Sequence, residues 1–307
     1  MRSETETVRA PVLVLAREET ADVSALCAAL RERGHDAAFA VPGDIVVRCE
    51  TDGVSFALRE QSIAPRCVLG WVSLWQREYG LWVLRAFAEA GVMVLNSAEV
   101  LDLGQNKFLG SVRMACAGIP HIRTVLLGSV DGLARTIDEL GLPLVLKPVV
   151  GAKGDDVVCI GDVAELYRVA ADYIARYHAV YAQQFVEKGG RDIRVRVVDR
   201  RAYSAVYRYA APGAFLTNLA KGGRDAVCPL TPELAALAEC CSRVFDAPVV
   251  GVDVLSDPAG TLRVIEVNVT PMLVYPPDES IALTVDYIER CLSGHRRDAA
   301  PRRVRAS

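Results

Sequence analysis

The sequence predicts an α/β unit followed by α+β structure. Three observations carry this: apolar strands alternate with amphipathic helices up to about residue 96, the pattern then becomes mixed, and beyond about residue 190 strands come in pairs joined by short turns. Of the 307 residues, 51% are apolar, enough for packed cores in more than one domain. The net charge of −3 offers no general attraction to nucleic acid or anionic membranes, so any phosphate site must be local.

PVLVLA (11–16) reads as a buried strand, and ADVSALCAALRERG (21–34) as an amphipathic helix stopped by Gly34. RCVLGWV (66–72) is a second strand, YGLWVLRAFAEAG (79–91) a helix with a glycine stop, and VMVLN (92–96) a third strand. Strands alternating with helices imply a parallel sheet covered on both faces. NKFLGSVRMACAG then reads as a helix, IPHIRTVLL as a strand, DGLARTIDEL as a helix and LPLVLKPVV as a strand. DVAELYRVAADYIARY is a long helix before the strand VYAQQFV, and the turn GAKGDD (151–156) lies between two of these strands. Residues 191–210 predict a hairpin turning at Asp199-Arg200-Arg201, and 247–269 a second turning at Asp257-Pro258-Ala259-Gly260. The tail GHRRDAAPRRVRAS carries five Arg against one Asp and reads as solvated and disordered.

Nine cysteines, odd in number and without a C-x-x-C pair, argue against a zinc site and a disulfide framework. The polar N-terminus and the shortness of PVLVLA argue against a signal peptide or membrane span, so the expected location is the cytoplasm. No Gly-Lys-Ser/Thr opens a helix as in a P-loop, and no G-x-G-x-x-G follows the first strand.

The chemistry gathers in the two hairpins. In LRVIEVNVTP (262–271), Val264, Glu266, Asn268 and Thr270 share one strand face while Ile265, Val267 and Val269 share the other. With the turn near Pro258-Ala259, Asp253 falls opposite Val264, one diagonal step from Glu266. Repulsion between two buried carboxylates that close protonates one of them unless a cation sits between them, and the set Asp253, Glu266 and Asn268 suits Mg²⁺ or Mn²⁺. The other reading is an ion pair with an arginine such as Arg263 or Arg243. In the first hairpin Asp192 lies opposite Arg208, with Arg194 and Arg196 on the same face, which suits a polyphosphate beside a metal. Lys147 ends a strand too apolar for a casual charge, Lys107 opens a helix, and the glycines of the 151–156 turn let backbone N–H groups approach phosphate oxygens.

In chain order Asn96, Asn106-Lys107, Gly118-Ile119-Pro120, Lys147-Pro148, Gly151 and Gly154, Gln184-Phe185-Val186, Asp192-Ile193-Arg194, Thr217-Asn218, Gly222-Gly223, Gly251-Val252-Asp253 and Glu266-Val267-Asn268 form a series. It resembles the ATP-grasp ligases, of the group that includes the glutamate ligase RimK and LysX, from about residue 66 to 272. The resemblance implies an ATP-grasp fold: an N-terminal α/β domain (1–97), a central lid domain (98–184) and a C-terminal ATP- and metal-binding domain (185–293), the last two gripping ATP, then the basic tail (294–307). It implies that Lys107 and Lys147 contact phosphates beneath the 151–156 turn, with Gly151 and Gly154 in that turn, and that Gln184, Phe185 and Val186 border the adenine. Asp192, Thr217 and Asn218 match nucleotide-binding positions, Arg208 the arginine that steadies the transferred phosphoryl group, and Asp253, Glu266 and Asn268 the metal ligands.

The implied chemistry is phosphorylation of a carboxylate by ATP and capture of the acyl phosphate by an amine, releasing ADP and phosphate. Phosphoryl transfer needs positioning and charge compensation more than a nucleophilic side chain. The implied partners are small carboxylate and amine substrates or a carrier protein, with a homo-oligomer as a family-level expectation. Ring closure, carrier loading and a non-catalytic nucleotide-binding regulator share the same nucleotide residues. Two departures bear on this: Asp156 stands where the family's turn carries a third glycine, and Pro271-Met272 replaces the common Pro-Gly after E-x-N.

Overall fold

The run VLVLA forms β1 (Val12–Ala16), buried along its length as a strand covered on both faces must be. A computed structural model describes this chain over residues 12–72, 76–152, 154–212, 216–217, 222–273 and 279–298. It divides into two units: one comprises the chain to Asp102, Ala247–Val249 and the chain from Val269, the other Leu103–Asp246 and Val250–Asn268.

In the first unit, α1 (Ala21–Glu32) starts at Thr20, whose hydroxyl accepts from the Val23 N–H, and is followed by β2 (Ala37–Ala40). A three-stranded antiparallel meander comes next, β3 (Ile45–Glu50), β4 (Gly53–Leu58) and β5 (Gln61–Ile63), which the sequence reading passes over. The reason is exposure: β3 buries only its first residue, so no apolar run marks it. Then come β6 (Cys67–Trp71), α2 (Arg77–Glu89) and β7 (Met93–Leu95). The parallel sheet runs β2-β1-β6-β7, and Phe56 of the meander stacks on Phe87 of α2. Asn96, at the end of β7, is buried, and its amide donates to the carbonyls of Val249 (3.1 Å) and Val269 (2.8 Å). Helix α3 (Ala98–Gln105), also unmarked in the sequence reading, contains the boundary between the units.

The second unit opens with α4 (Lys107–Cys116), capped by Asn106. After it come β8 (Thr124–Leu127), α5 (Leu133–Leu140), β9 (Leu144–Lys147), β10 (Val158–Ile160), α6 (Val163–Tyr177) and β11 (Val180–Gln184). The antiparallel sheet β10-β9-β11-β8 packs Leu144, Leu146 and Ala182 against Leu133, Leu166 and Tyr173 of α5 and α6. A second antiparallel sheet, in the order β14-β13-β12-β15-β16, is built from β12 (Arg191–Val198), β13 (Arg201–Tyr209), β14 (Arg224–Cys228), β15 (Val250–Ser256) and β16 (Leu262–Asn268). Helix α7 (Pro232–Val244) packs against β12 and β13. The β12–β13 turn puts Asp199 and Arg200 at φ 50° and 60°, the twist a two-residue hairpin favours. Asp192 pairs with Arg208 as the sequence predicts.

The β15–β16 register differs from the expectation. The hairpin pairs Val254 with Val264, one position from the expectation, and a register shift at Asp253/Val254 then passes over Ile265 and sets Asp253 directly opposite Glu266, so that Val264 and Val267 are both buried and the strict alternation expected of this strand is broken. The chain returns to the first unit and forms α8 (Glu279–Asp298), where Asp286 and Glu289 meet Arg33, the residue just after α1, at 2.9 and 3.0 Å. The helix therefore includes Gly294–Asp298, which the sequence reading assigns to a disordered tail. The remainder of that tail, 299–307, lies outside the described residues.

Candidate functional site

Strand faces and helix ends of the second unit converge on one pocket. Lys107 is the first residue of α4 and Lys147 the last of β9. Both line the pocket, together with Gly151, Gly154, Gln184, Phe185, Val186, Asp192, Arg208, Thr217, Asp253 and Glu266. Val145, Ile122, Leu216, Leu255 and Ile265 supply apolar walls, which suits a flat base beside a charged tail. Asn268 does not line the pocket but stands two residues beyond Glu266 on β16, opposite Gly251. Asn218 lies outside the described residues.

Lys147 is buried, and its ammonium donates to the Gln183 side-chain oxygen at 2.6 Å. Burial pulls its pKa down from 10.5 to about 8, with Glu266 and Asp253 opposing that shift and Lys107 and Lys188 adding to it. Lys107 spans the turn and the metal candidates: its ammonium donates to the Gly151 carbonyl at 2.5 Å and lies 3.9 Å from the Glu266 carboxylate.

Arg208 bridges two buried aspartates, with its Nε on Asp192 at 2.7 Å and its Nη2 on Asp253 at 2.9 Å. Asp192 also accepts from the Thr217 hydroxyl and lies 3.4 Å from the Lys188 ammonium. Asp253 is gripped by Arg194 as well, through Nε and Nη2, the second at 2.9 Å. Burial would raise the Asp253 carboxyl, but the guanidinium charges of Arg194 and Arg208 outweigh it and hold the group well below the usual carboxylate range. Burial would likewise lower Arg208, and the charges of Asp253 and Asp192 raise it instead. The arginine partners of Asp253 are thus Arg194, its cross-strand neighbour on β12, and Arg208, one strand further on β13, not Arg263 or Arg243; Arg263 faces Asp257 and Arg243 faces Glu239.

Asp253 and Glu266, directly opposed across β15 and β16, with Asn268 on the same strand as Glu266, offer the hard oxygen donors that Mg²⁺ or Mn²⁺ takes. Among the described residues no group of three or more His, Cys, Asp or Glu gathers that could hold a metal ion.

The turn after β9 resolves the placement of its two acids. Asp155 lines the pocket, whereas Asp156 faces α6. Its carboxylate takes Arg176 at 2.8 Å and the Tyr177 hydroxyl, and its carbonyl takes the Tyr173 hydroxyl. Asp156 holds a left-handed φ of 51°, tolerable for an aspartate so anchored.

Sequence reasoning misses Lys188, Gln183 and the Arg194–Asp253 grip. Lys188 is four residues before Asp192 in a Lys-Gly-Gly loop, a signal that could have been followed. Gln183 could be found only from the pairing of Gln183 with Val145, which brings it beside the β9 end.

Residues 104–286 match the model of the RimK-like ATP-grasp domain. A tetrahydromethanopterin:alpha-L-glutamate ligase of Methanosarcina acetivorans is 32% identical over 184 residues, 56% of this chain and 56% of that protein. A probable alpha-L-glutamate ligase of Hahella chejuensis is 30% identical over 265 residues, 81% of this chain and 84% of that protein. Among solved structures, the ATP-grasp ligase PsnB complexed with minimal precursor has a TM-score of 0.70 at 19% identity, covering 91% of this chain and 99% of that one. D-alanyl-alanine synthetase A from Vibrio cholerae has a TM-score of 0.66 at 14% identity, covering 95% and 98%. These two structural likenesses speak to the fold, while the family model covers more than half of the chain. The protein, with its antiparallel sheets and its lysine- and arginine-lined pocket, belongs to the RimK-like ATP-grasp family.

Proposed function

We propose that this protein is an ATP-dependent carboxylate–amine ligase that releases ADP and phosphate. The observation that carries the reading is Arg208, held between buried Asp192 and Asp253 in a pocket that also presents Lys107, Lys147 and Lys188. A carboxylate oxygen of the acid substrate attacks the γ-phosphorus, the bond from that phosphorus to the bridging oxygen breaks, and ADP leaves with the electron pair. Lys107 and Lys147 compensate the phosphates, and Arg208, unable to rotate away from its two aspartates, meets the charge spread over the transferring group. The amine then attacks the acyl carbon, phosphate departs, and the nitrogen loses a proton to give the amide.

Gln184, Phe185 and Val186 border the base, and Asp192 and Thr217 the sugar side, with Asn218 assigned there from the sequence resemblance. Asp253, Glu266 and Asn268 would hold Mg²⁺ or Mn²⁺, which would supply charge neutralisation for the phosphates. Asp156, the sequence feature that favours a non-catalytic regulator, loses that weight because its carboxylate pairs with Arg176 and Tyr177 of α6. The acid is an amino acid or peptide carboxylate, and L-glutamate, for which the similar proteins are named, is the first candidate for one of the two substrates, as acid or as amine. Its amine partner is a small metabolite, a peptide or a carrier protein. No helix among the described residues is long and apolar enough to cross a membrane.

The test is hydroxamate and phosphate release from ATP, Mg²⁺, hydroxylamine and a panel of amino and dicarboxylic acids led by L-glutamate. Hydroxylamine intercepts an acyl phosphate whatever the natural amine. A signal with one acid, lost in Glu266→Ala, supports the reading; ATP binding with silence across free acids, peptides and a carrier-bound acid overturns it.

A further inference from the structure

Asp253 has few lone pairs left to offer. Arg194 grips it side-on, with Nε on Oδ1 and Nη2 on Oδ2 at 2.9 Å, and Arg208 adds a third donor to Oδ2 at 2.9 Å. A carboxylate presents about four lone-pair sites, so a divalent ion on Asp253 would compete for what remains beside two guanidinium charges. The two arginines are not equivalent. Arg208 is fixed at its far side by Asp192 on the next strand. Arg194 reaches across from β12, directly opposite Asp253 in register, and among the described residues Asp253 is the carboxylate it pairs with.

An independent feature marks the path that Arg194 takes. Gly251 lies two residues before Asp253 on the same face of β15. A Cβ at that position would meet the Arg194 Cδ at 2.9 Å and its terminal nitrogen at 3.3 Å, closer than atoms settle without a shift. The glycine sits inside a buried strand, where its lack of a side chain otherwise weakens the element. It leaves a lane in which the arginine lies flat and turns its fork onto the carboxylate.

We propose that Arg194 is a displaceable counter-ion at Asp253, exchanged for Mg²⁺ or Mn²⁺ when nucleotide phosphates arrive to receive the guanidinium, and that Gly251 provides its resting lane. This rests on the ligase reading above, in which Asp253 is a metal ligand. The consequence is coupling: free metal binds weakly, metal and nucleotide bind cooperatively, and each raises the affinity for the other by the same factor. Arg194 thereby acts as a positioning residue, restraining the metal site until the phosphates are in place.

The experiment is a Mn²⁺ titration of the full chain followed by electron paramagnetic resonance, with Mn²⁺ alone and with Mn²⁺ and ATP. The proteins are the wild type, Arg194→Gln, Gly251→Ala and Asp253→Asn, each checked for its fold by circular dichroism. Arg194→Gln should bind Mn²⁺ alone at least about tenfold tighter than the wild type, equivalent to about 1.4 kcal/mol, and lose most of the cooperativity with ATP. Gly251→Ala keeps the guanidinium but blocks its lane; it should move affinity the same way by a smaller factor, and it carries the test if Arg194→Gln does not fold. If both variants bind Mn²⁺ as weakly as the wild type or more weakly, while binding in the presence of ATP still depends on Asp253, Arg194 is a fixed clamp and the proposal is overturned. If Asp253→Asn changes Mn²⁺ binding under neither condition, the metal assignment in the ligase reading fails and the proposal fails with it.

Discussion

Replacing Lys147 by methionine should stabilise the nucleotide-free protein and abolish its grip on ATP. The side chain is 9% exposed, and burial pulls its pKa from 10.5 to about 8. At about 1.4 kcal/mol per pH unit, keeping this ammonium charged at pH 7 costs the folded state about 3 kcal/mol. Methionine keeps the methylene packing and removes the charge, but it leaves the Gln183 oxygen without its donor, a loss of about 1–2 kcal/mol. The net expectation is a gain of about 1–2 kcal/mol, each kcal/mol being about 2–4 °C in Tm for a domain of this size. The pH dependence has a definite sign. Between about pH 8 and 10.5 the folded protein has released the Lys147 proton while the unfolded chain still holds it, so wild-type stability rises with pH and the advantage of the variant shrinks. Thermal melts at pH 7 and 10, with and without Mg²⁺ and ATP, measure all of this. Saturating ATP should raise the Tm of the wild type and leave the variant unmoved. A variant that melts below the wild type at pH 7 without nucleotide would refute the burial-cost reasoning.

Arg208→Ala strips a charged partner from two buried aspartates and should cost about 3–5 kcal/mol in chemical denaturation, besides ending ADP formation. Asn96→Ala leaves the Val249 and Val269 carbonyls without a donor and should cost about 2–4 kcal/mol by the same measurement. Asp156→Gly releases the 151–156 turn from Arg176 and Tyr177. Because that carboxylate is half exposed, stability should change by less than about 1 kcal/mol, while limited trypsin digestion within the turn should accelerate.

What the sequence made legible were features that are local or periodic. The long period of α6 and the apolar runs of β1, β6 and β9 announce themselves, as does the β12–β13 turn, although Asp192 reaches its place opposite Arg208 through a two-residue turn together with a register shift at Arg196/Val197. The meander 45–63 stayed hidden because its strands are short and mostly exposed and so carry no buried run. The bulge at Asp253–Val254 has no sequence signature, yet it decides that Asp253 meets Glu266 face to face. The partner of Asp253 was missed for a related reason. Arg194 was read as part of a phosphate-facing surface, and only the pairing of β12 with β15 brings it onto the carboxylate. The direction of Asp156 depends on Arg176 and Tyr177, about twenty residues later on another element, which neither turn chemistry nor composition could supply.

The charge arrangement of the pocket explains why buried aspartates and arginines are paired there at all. Among the described residues Lys107, Lys147, Lys188, Arg194 and Arg208 face Asp155, Asp192, Asp253 and Glu266, a surplus of one positive charge. ATP carries roughly four negative charges and its complex with one divalent cation roughly two, so the metal–nucleotide complex matches the site more nearly than the bare nucleotide does. Buried ion pairs add little net stability, because desolvation consumes most of the attraction. Their return here is rigidity: Asp192 holds Arg208 at Nε and Asp253 holds it at Nη2, so the guanidinium is oriented before any phosphate arrives. Lys147, by contrast, has a neutral partner in Gln183 and bears the cost of its own burial. A phosphate beside it would restore its proton affinity, so the energy that the free fold forgoes at Lys147 is recovered as nucleotide affinity.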